Sequence, residues 1–256
     1  MKRILFSIIL MFLLSTPSWS ETLTIDDLVE RDDLYYKKFT NVPFTGEISG
    51  IQSGIFVNGK KEGEWLFFYD NGQLEIKGNY KDGKPDGLVE SYYENGQLTS
   101  KGNIKNEKED GLWENYNKNG QLTSKGNWKD GKEHGLWEYY KNGKLETKSN
   151  FKEGKEHGLL EWYYENGQLE TKGNFKDGKQ DGLWEEYYEN GQLKTKGNNK
   201  DGRSYGLWKS FYEDGHLWVK GNWKDGKEHG PWEEYYKNGQ LGYKTNYKDG
   251  KQDGIR

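Results

Sequence analysis

Residues 182–205 read GLWEEYYENGQLKTKGNNKDGRSY, and close variants of this stretch recur along most of the chain. The opening glycine returns at Gly63, Gly87, Gly111, Gly135, Gly158, Gly206, Gly230 and Gly254, each 24 residues from the last except for 23 between Gly135 and Gly158. A fixed period of this size marks a repeat architecture, in which each unit buries its apolar side only against its neighbours. Eight units and a C-terminal stub therefore occupy residues 63–256.

Two turn signals punctuate each unit. Near the middle stands Asn-Gly, replaced once by Asp214-Gly215, and near the end stands Asp-Gly or Glu-Gly. Both suit a two-residue type I′ turn, which needs positive φ at both positions. The runs between them are short and rich in aromatics and threonine, as strands require. The expected fold is all-β, an elongated single-layer antiparallel meander with two strands per unit. At about 4.8 Å per strand its eight units span roughly 75 Å before twist.

With Asn190-Gly191 as the loop, Tyr188 faces Leu193, Glu186 faces Thr195, Glu185 faces Lys196 and Trp184 faces Gly197. Alternation then sets Trp184, Tyr188, Leu193 and Gly197 on one face. The same reading lays Trp65 on Gly78, Trp113 on Gly126 and Trp208 on Gly221. Around Asp225-Gly226, Trp223 meets Glu228 and Gly221 meets Gly230, which keeps Leu217, Gly221, Trp223, Trp232 and Tyr236 on that face. On the other face Glu90 meets Lys101, Glu114 meets Lys125, Glu161 meets Lys172, Glu185 meets Lys196 and Glu233 meets Lys244; Lys209 opposite Lys220 is the exception. In the short unit from Gly135, simple pairing sets Trp137 against Lys148 and flips the first strand unless a bulge absorbs the slip.

The chain before the array has a different character. Lys2 and Arg3, the apolar run Ile4–Leu14, and Ser18 and Ser20 form the three parts of a secretory signal peptide over residues 1–20, with cleavage expected after Ser20. Its apolar run is too short to span a bilayer, and no transmembrane segment is expected elsewhere. Residues 21–62 are read as an N-terminal cap and truncated first unit. Within them Thr24 caps a short helix from Ile25, while Leu34-Tyr35-Tyr36 and Pro43-Phe44-Thr45-Gly46-Glu47 are strand material. The array otherwise leaves an open edge, a place for edge-to-edge self-association.

Mean hydropathy is −1.18, yet aromatics make up 16% of the residues and recur in register, which separates this chain from disordered ones. There is no cysteine, hence no disulfide, thiolate nucleophile or zinc–thiolate site. The chain holds 38 Lys and Arg against 42 Asp and Glu with both signs interspersed, so no basic stripe exists for nucleic acid.

The motifs Asn-Gly-Gln-Leu, Lys-Gly-Asn-aromatic-Lys-Asp-Gly-Lys and Gly-Leu-Trp-Glu-x-Tyr-Tyr resemble the bacterial variant of the MORN repeat over Gly63–Gly254, and Pro43–Gly46 resembles the family's entry segment. The resemblance implies a non-catalytic repeat protein. Some proteins with such repeats are labelled YwqK-family antitoxins of toxin–antitoxin systems, although an antitoxin is expected to meet its toxin in the cytoplasm and residues 1–20 point to export. Choline-binding wall repeats share the Trp, Tyr-Tyr and Asn-Gly mix but are shorter and lack the Lys-Gly-Asn tract.

No residue reads as catalytic, metal-ligating or cofactor-binding, and no cofactor is expected. His134, His157 and His229 share a slot, but adjacent copies sit two strands apart, too far to share one ion. Glu185 and Glu186 repeat along the array, whereas acid–base catalysis needs two carboxyls in distinct environments. The remaining candidate is a ladder of Trp65, Trp113, Trp137, Trp184, Trp208 and Trp232 with Tyr93, Tyr164, Tyr188 and Tyr236. It is either the apolar side of a thin sheet or a strip for a protein or an envelope polysaccharide. The functional expectation is an exported scaffold for protein or envelope contacts. The alternatives are a wall-glycan or choline-type module and an antitoxin.

Overall fold

The computed structural model describes residues 22–254; the expected signal peptide and its cleavage point lie outside them. A single 3-10 turn, Ile25–Asp27, follows Thr24, whose backbone N–H and hydroxyl both donate to the Asp27 carboxylate (2.8 and 3.0 Å). Those bonds hold the Asp27 carboxyl below its ordinary range. The expected helix stops there, because Leu28 opens a hairpin of β1 (Leu28–Arg31) with β2 (Leu34–Lys37).

The meander begins with β3 (Gly46–Ile48), β4 (Gln52–Val57), β5 (Lys60–Phe68) and β6 (Leu74–Lys81), each antiparallel to the one before. It continues strand by strand to Leu241–Lys248 and Lys251–Gln252. Substantial contacts join only strands adjacent in this order, so the array is one layer.

The segment before β3 closes the first edge. Leu23 forms a parallel bridge with Ile48, Ser49 N–H donates to the Leu23 carbonyl at 2.9 Å, and Gly59 N–H donates to the Phe44 carbonyl at 2.7 Å. Leu28, Ile48, Phe56 and Trp65 are buried together there, with Tyr35, Phe44 and Tyr80 against them. Gly54-Ile55-Phe56-Val57-Asn58-Gly59 stands 24 residues before Gly78-Asn79-Tyr80-Lys81-Asp82-Gly83 and carries the same turn, so a partial unit precedes the full ones.

The second turn of each unit is type I′ as expected, with positive φ at both loop residues: 53° and 85° at Asp82-Gly83, 52° and 82° at Asp177-Gly178. The unit from Gly87 keeps this turn without glycine, at Asn106-Glu107. The first turn differs from expectation. Asn190 lacks positive φ, the Tyr188 carbonyl accepts from Gly191 N–H (2.8 Å), and Tyr188 N–H donates to the Gln192 carbonyl (2.8 Å). That is a three-residue loop, Glu189-Asn190-Gly191, a type I turn closed by a left-handed glycine. Its extra residue shifts the register, so Leu193 pairs with Tyr187, not Tyr188, and sides with the face opposite Trp184. Beyond the shift the pairs Glu186–Thr195, Glu185–Lys196 and Trp184–Gly197 hold as read.

The 23-residue unit exposes the logic. Asn142 and Gly143 both have positive φ (53° and 76°), so here alone the mid-unit Asn-Gly makes the two-residue turn. The missing residue is lost from the loop. Trp137 keeps its place opposite Ser149, not Lys148, and no strand flips. A second correction concerns the repeat glycine: Gly221 pairs with Trp232, not Gly230. Three residues, His229 to Pro231, lie opposite Asn222 alone, and Gly230 at φ 96° lets the strand bulge. Two surplus residues preserve parity, so Trp232 stays on the Gly221 face.

Candidate interaction surface

On one face, indoles roof glycines. The glycine each covers belongs to the preceding unit, contrary to the simple reading: Trp65 lies over Gly54, Trp113 over Gly102, Trp137 over Gly126, Trp184 over Gly173, Trp208 over Gly197 and Trp232 over Gly221. Gly126 and Gly221 pair with a tryptophan on both sides, whereas Gly54, Gly102 and Gly173 have Ile48, Val89 and Leu160 on the side away from the roofing ring; in every case the ring leans back across the strand behind it. Four indole N–H groups then donate to a carbonyl on that strand: Trp65 to Ile55, Trp113 to Asn103, Trp137 to Asn127 and Trp208 to Asn198 (3.1–3.2 Å). Trp184 and Trp232 are turned the other way and donate to Glu186 (3.3 Å) and Glu234 (3.1 Å).

A second aromatic row meets the first edge-on, as in Trp65–Tyr80, Trp128–Trp137, Phe175–Trp184 and Trp232–Tyr247 (centroids 5.7–6.2 Å). Trp65, Trp137 and Trp184 are buried; Trp113, Trp208 and Trp232 are half-buried.

The tyrosines of the ladder form a separate system at the three-residue turns. Tyr93 Oη donates to the Tyr116 carbonyl (2.9 Å), Tyr164 to that of Tyr187 (2.7 Å) and Tyr188 to that of Phe211 (2.8 Å), each reaching the next unit; Tyr69 and Tyr212 do the same. Loop asparagines add a parallel rung, with Asn190 Nδ2 on the Glu213 carbonyl and Asn95 Nδ2 on that of Lys118 (3.1 and 2.8 Å). Tyr236 is 61% exposed and rests over Gly242. Asn117 and Lys141 take the tyrosine slot in two successive units, and a shallow groove beside Lys141, Lys144, Glu146 and Tyr163 marks the interruption.

The opposite face has three rows. The first runs along sixteen strands from Leu66 through Lys77, Glu90, Lys101, Glu114, Lys125 and onward to Lys244, each residue paired across to the next, and alternates in charge from Lys77 to Lys196 and again from Lys220 to Lys244. Lysines bridge forward as well as back: Lys101 to Glu114 at 2.7 Å, Lys125 to Glu138 at 2.9 Å, Lys220 to Glu233 at 2.7 Å, and Lys244 to Glu233 at 2.9 Å. These bonds, with one from the Tyr235 hydroxyl, pull the Glu233 carboxyl down to about 2.

The second row is tyrosine two residues after each glutamate, its hydroxyl on that carboxylate, as in Tyr116–Glu114 and Tyr163–Glu161 (3.0 and 2.8 Å). Burial, then the glutamate, pushes the Tyr163 phenol up to about 12. Where glutamate is absent, at Leu66 and Lys209, Phe68 and Phe211 replace the tyrosine.

Sequence reading missed the third row, leucines that follow the repeat glycine, in Gly-Leu-Trp at four positions and in Gly-Leu-Val at Leu88. Leu88, Leu112, Leu136, Leu183 and Leu207 are 43–54% exposed, each opposite an asparagine such as Asn198 or Asn222. Their position next to an inward tryptophan, or Val89 in the case of Leu88, was the available signal, since alternation sends neighbours to opposite faces.

Four of the other sequence candidates have local partners. His157 and His229 each lie beside the aspartate of the following I′ turn, Asp177 and Asp249 (3.3 and 3.4 Å). Glu185 and Glu186 point to opposite faces, Glu185 taking the Tyr187 hydroxyl and Glu186 the Trp184 indole, so they cannot act on one bond.

Eight segments, 61–82, 85–106, 109–130, 133–153, 156–177, 180–201, 205–225 and 228–249, match the family described as MORN repeat variant, over more than half of the chain. The chain belongs to the MORN repeat variant family. No curated protein matches it. The matched segments start just after each I′ turn, so one MORN unit is a hairpin around the mid-unit loop, three residues long in seven units and two in the unit 133–153.

Proposed function

We propose that this chain is an exported, non-catalytic MORN scaffold that holds a partner protein against its charged, leucine-bearing face. The observation that carries this reading is the row of exposed leucines at one position of five of the eight units, Leu88, Leu112, Leu136, Leu183 and Leu207. Repeated apolar exposure on a folded surface has no internal packing role and suits contact with another surface. The tryptophan face is largely spent on its own glycines and neighbouring rings, which leaves less of it for a ligand. MORN repeats are typically protein- and membrane-interaction elements. Among the described residues no helix is long and apolar enough to cross a membrane.

Export rests on the charged, apolar and small-residue pattern of residues 1–20. N-terminal sequencing of protein from the envelope or medium tests it, with Glu21 expected first. Intact protein beginning at Met1 and confined to the cytoplasm would remove export and favour the antitoxin reading, as would an adjacent toxin gene. The scaffold reading is tested by pull-down from envelope extract with the mature chain and a variant in which Leu112, Leu136, Leu183 and Leu207 are serine. A partner lost with the leucines supports it. Retention by insoluble peptidoglycan or polysaccharide, unaffected by the serines, would instead select the glycan-binding alternative.

A further inference from the structure

The charge row alternates in sign at every strand until its far end. There Lys196 pairs with Lys209, and Lys209 with Lys220, in adjacent registers. Like charges directly opposite destabilise a sheet, and the other seven units carry glutamate or, once, leucine in the Lys209 slot. Lys220 is held by Glu233 at 2.7 Å, but neither Lys196 nor Lys209 makes an ion pair among the described residues. Phe211 replaces the tyrosine whose hydroxyl would have addressed a glutamate, so the change is concerted over two positions. Leu183 and Leu207, exposed by 43% and 45%, stand two residues before Glu185 and Lys209 and hence on the same face.

We propose that Lys196, Lys209 and Lys220, with Leu183 and Leu207, form a docking site for an acidic segment of the partner protein. The inference rests on the scaffold reading and narrows it to one part of the array. Charge complementarity selects an anionic occupant, because the site is locally basic on a chain of net charge −4. Two strand spacings separate Lys196 from Lys220, about 10 Å, which three residues of a polyproline II segment at ~3.1 Å each would cover. With three residues per turn, carboxylates three apart lie on one side of such a segment and reach both ends, with an apolar residue between them turned toward a leucine. An anionic membrane fits less well, since juxtamembrane recognition uses clusters of roughly 4 to 8 basic residues and the rest of this row is balanced. An acidic glycan would leave the leucines without a counterpart.

The test uses the mature chain, the variant Lys209→Glu, and Lys209→Glu with Phe211→Tyr, which restores the alternating pattern. The probe is a short fluorescein-labelled peptide with glutamate at every third position and leucine beside it. A glutamine-for-glutamate peptide, oligogalacturonate and phosphatidylglycerol vesicles are run alongside. Wild type should bind the glutamate peptide in preference to all three, with affinity falling as salt rises. Both variants should bind about tenfold more weakly or worse while melting no lower than wild type, which excludes unfolding as the cause. Equal binding by wild type and variants, no binding by wild type, or stronger binding to glycan or vesicles would each overturn the proposal. Capture of the same envelope partner by wild type and Lys209→Glu alike would refute this site and leave the scaffold reading standing; capture by neither would count against both.

Discussion

Gly197 offers the sharpest test of how the units lock together. A methyl built on Gly197 would penetrate the Trp208 ring at Cδ2, Cε2 and Cγ, well inside the 3.5–4.0 Å at which two carbons rest in contact. The ring must move, giving up its bond to the Asn198 carbonyl (3.1 Å) and its cover over the strand. Overpacking of this kind costs about 1–3 kcal/mol. Loss of an entire buried tryptophan costs about 3–5 kcal/mol, and Trp208 is only half-buried, so about 2 kcal/mol is expected for Gly197→Ala and more for Gly197→Val. At about 2–4 °C per kcal/mol for a chain of this size, the alanine variant should melt some 4–8 °C lower.

Gly78 is the internal control. Its unit is followed by Val89 where most others have tryptophan, and a methyl there meets only Val89 Cγ2 at 3.6 Å and Tyr80 Cε2 at 3.9 Å. Gly78→Ala should therefore be neutral or stabilising by up to about 1 kcal/mol through the unfolded chain. In a Trp208→Ala background Gly197→Ala should cost under about 0.5 kcal/mol, since the obstacle is gone. Calorimetry of the four chains of this cycle, with Gly78→Ala beside them, decides the matter. Equal shifts for Gly78→Ala and Gly197→Ala, or strictly additive costs in the cycle, would show that the ring does not roof this glycine.

Three further outcomes follow from the same geometry. The Glu233 carboxyl, lowered from 4.5 to about 2 by Lys220, Tyr235 and Lys244, contributes stability that is present above pH 5 and lost as pH falls toward 2. Glu233→Gln should flatten that part of the stability profile, by about 1 kcal/mol or less at this surface position, and an unchanged acid slope in urea melts would exclude the assignment. Inserting a glutamate between Lys141 and Asn142 should convert the two-residue turn into the three-residue form and leave hydrogen exchange of Lys132–Lys141 and Lys144–Lys152 unchanged; a change in protection along both strands would mean the deletion had altered their pairing. Trp65→Ala, fully buried under the N-terminal segment, should cost about 3–5 kcal/mol, whereas Trp218→Ala, 48% exposed, should stay within about 1 kcal/mol in thermal melts.

Much of this protein was present in its period. The 24-residue spacing, the I′ turns at Asp-Gly and the identity of cross-strand partners from Trp184–Gly197 to Glu185–Lys196 follow from local turn chemistry and alternation, which act over a few residues and need no knowledge of the rest. The coupling of glutamate to tyrosine was equally open to reading, because i and i+2 share a face of a strand.

What only the tertiary structure decided is where one unit meets the next. Asn-Gly adopts two geometries in this chain. The dipeptides look alike in sequence, yet Asn190 sits in a three-residue loop where its side chain bonds both Gln192 N–H and the Glu213 carbonyl of the following unit, while Asn142 turns in two residues. A glycine flanked by a tryptophan on each side could be roofed by either one. All six rings take the preceding unit, and in four of them a carbonyl there accepts the indole N–H, as Asn198 does for Trp208. The bulge at Gly230 lets two surplus residues vanish without turning Trp232 outward. Each of these choices depends on an atom in a neighbouring strand, and a single hairpin read alone does not contain that atom.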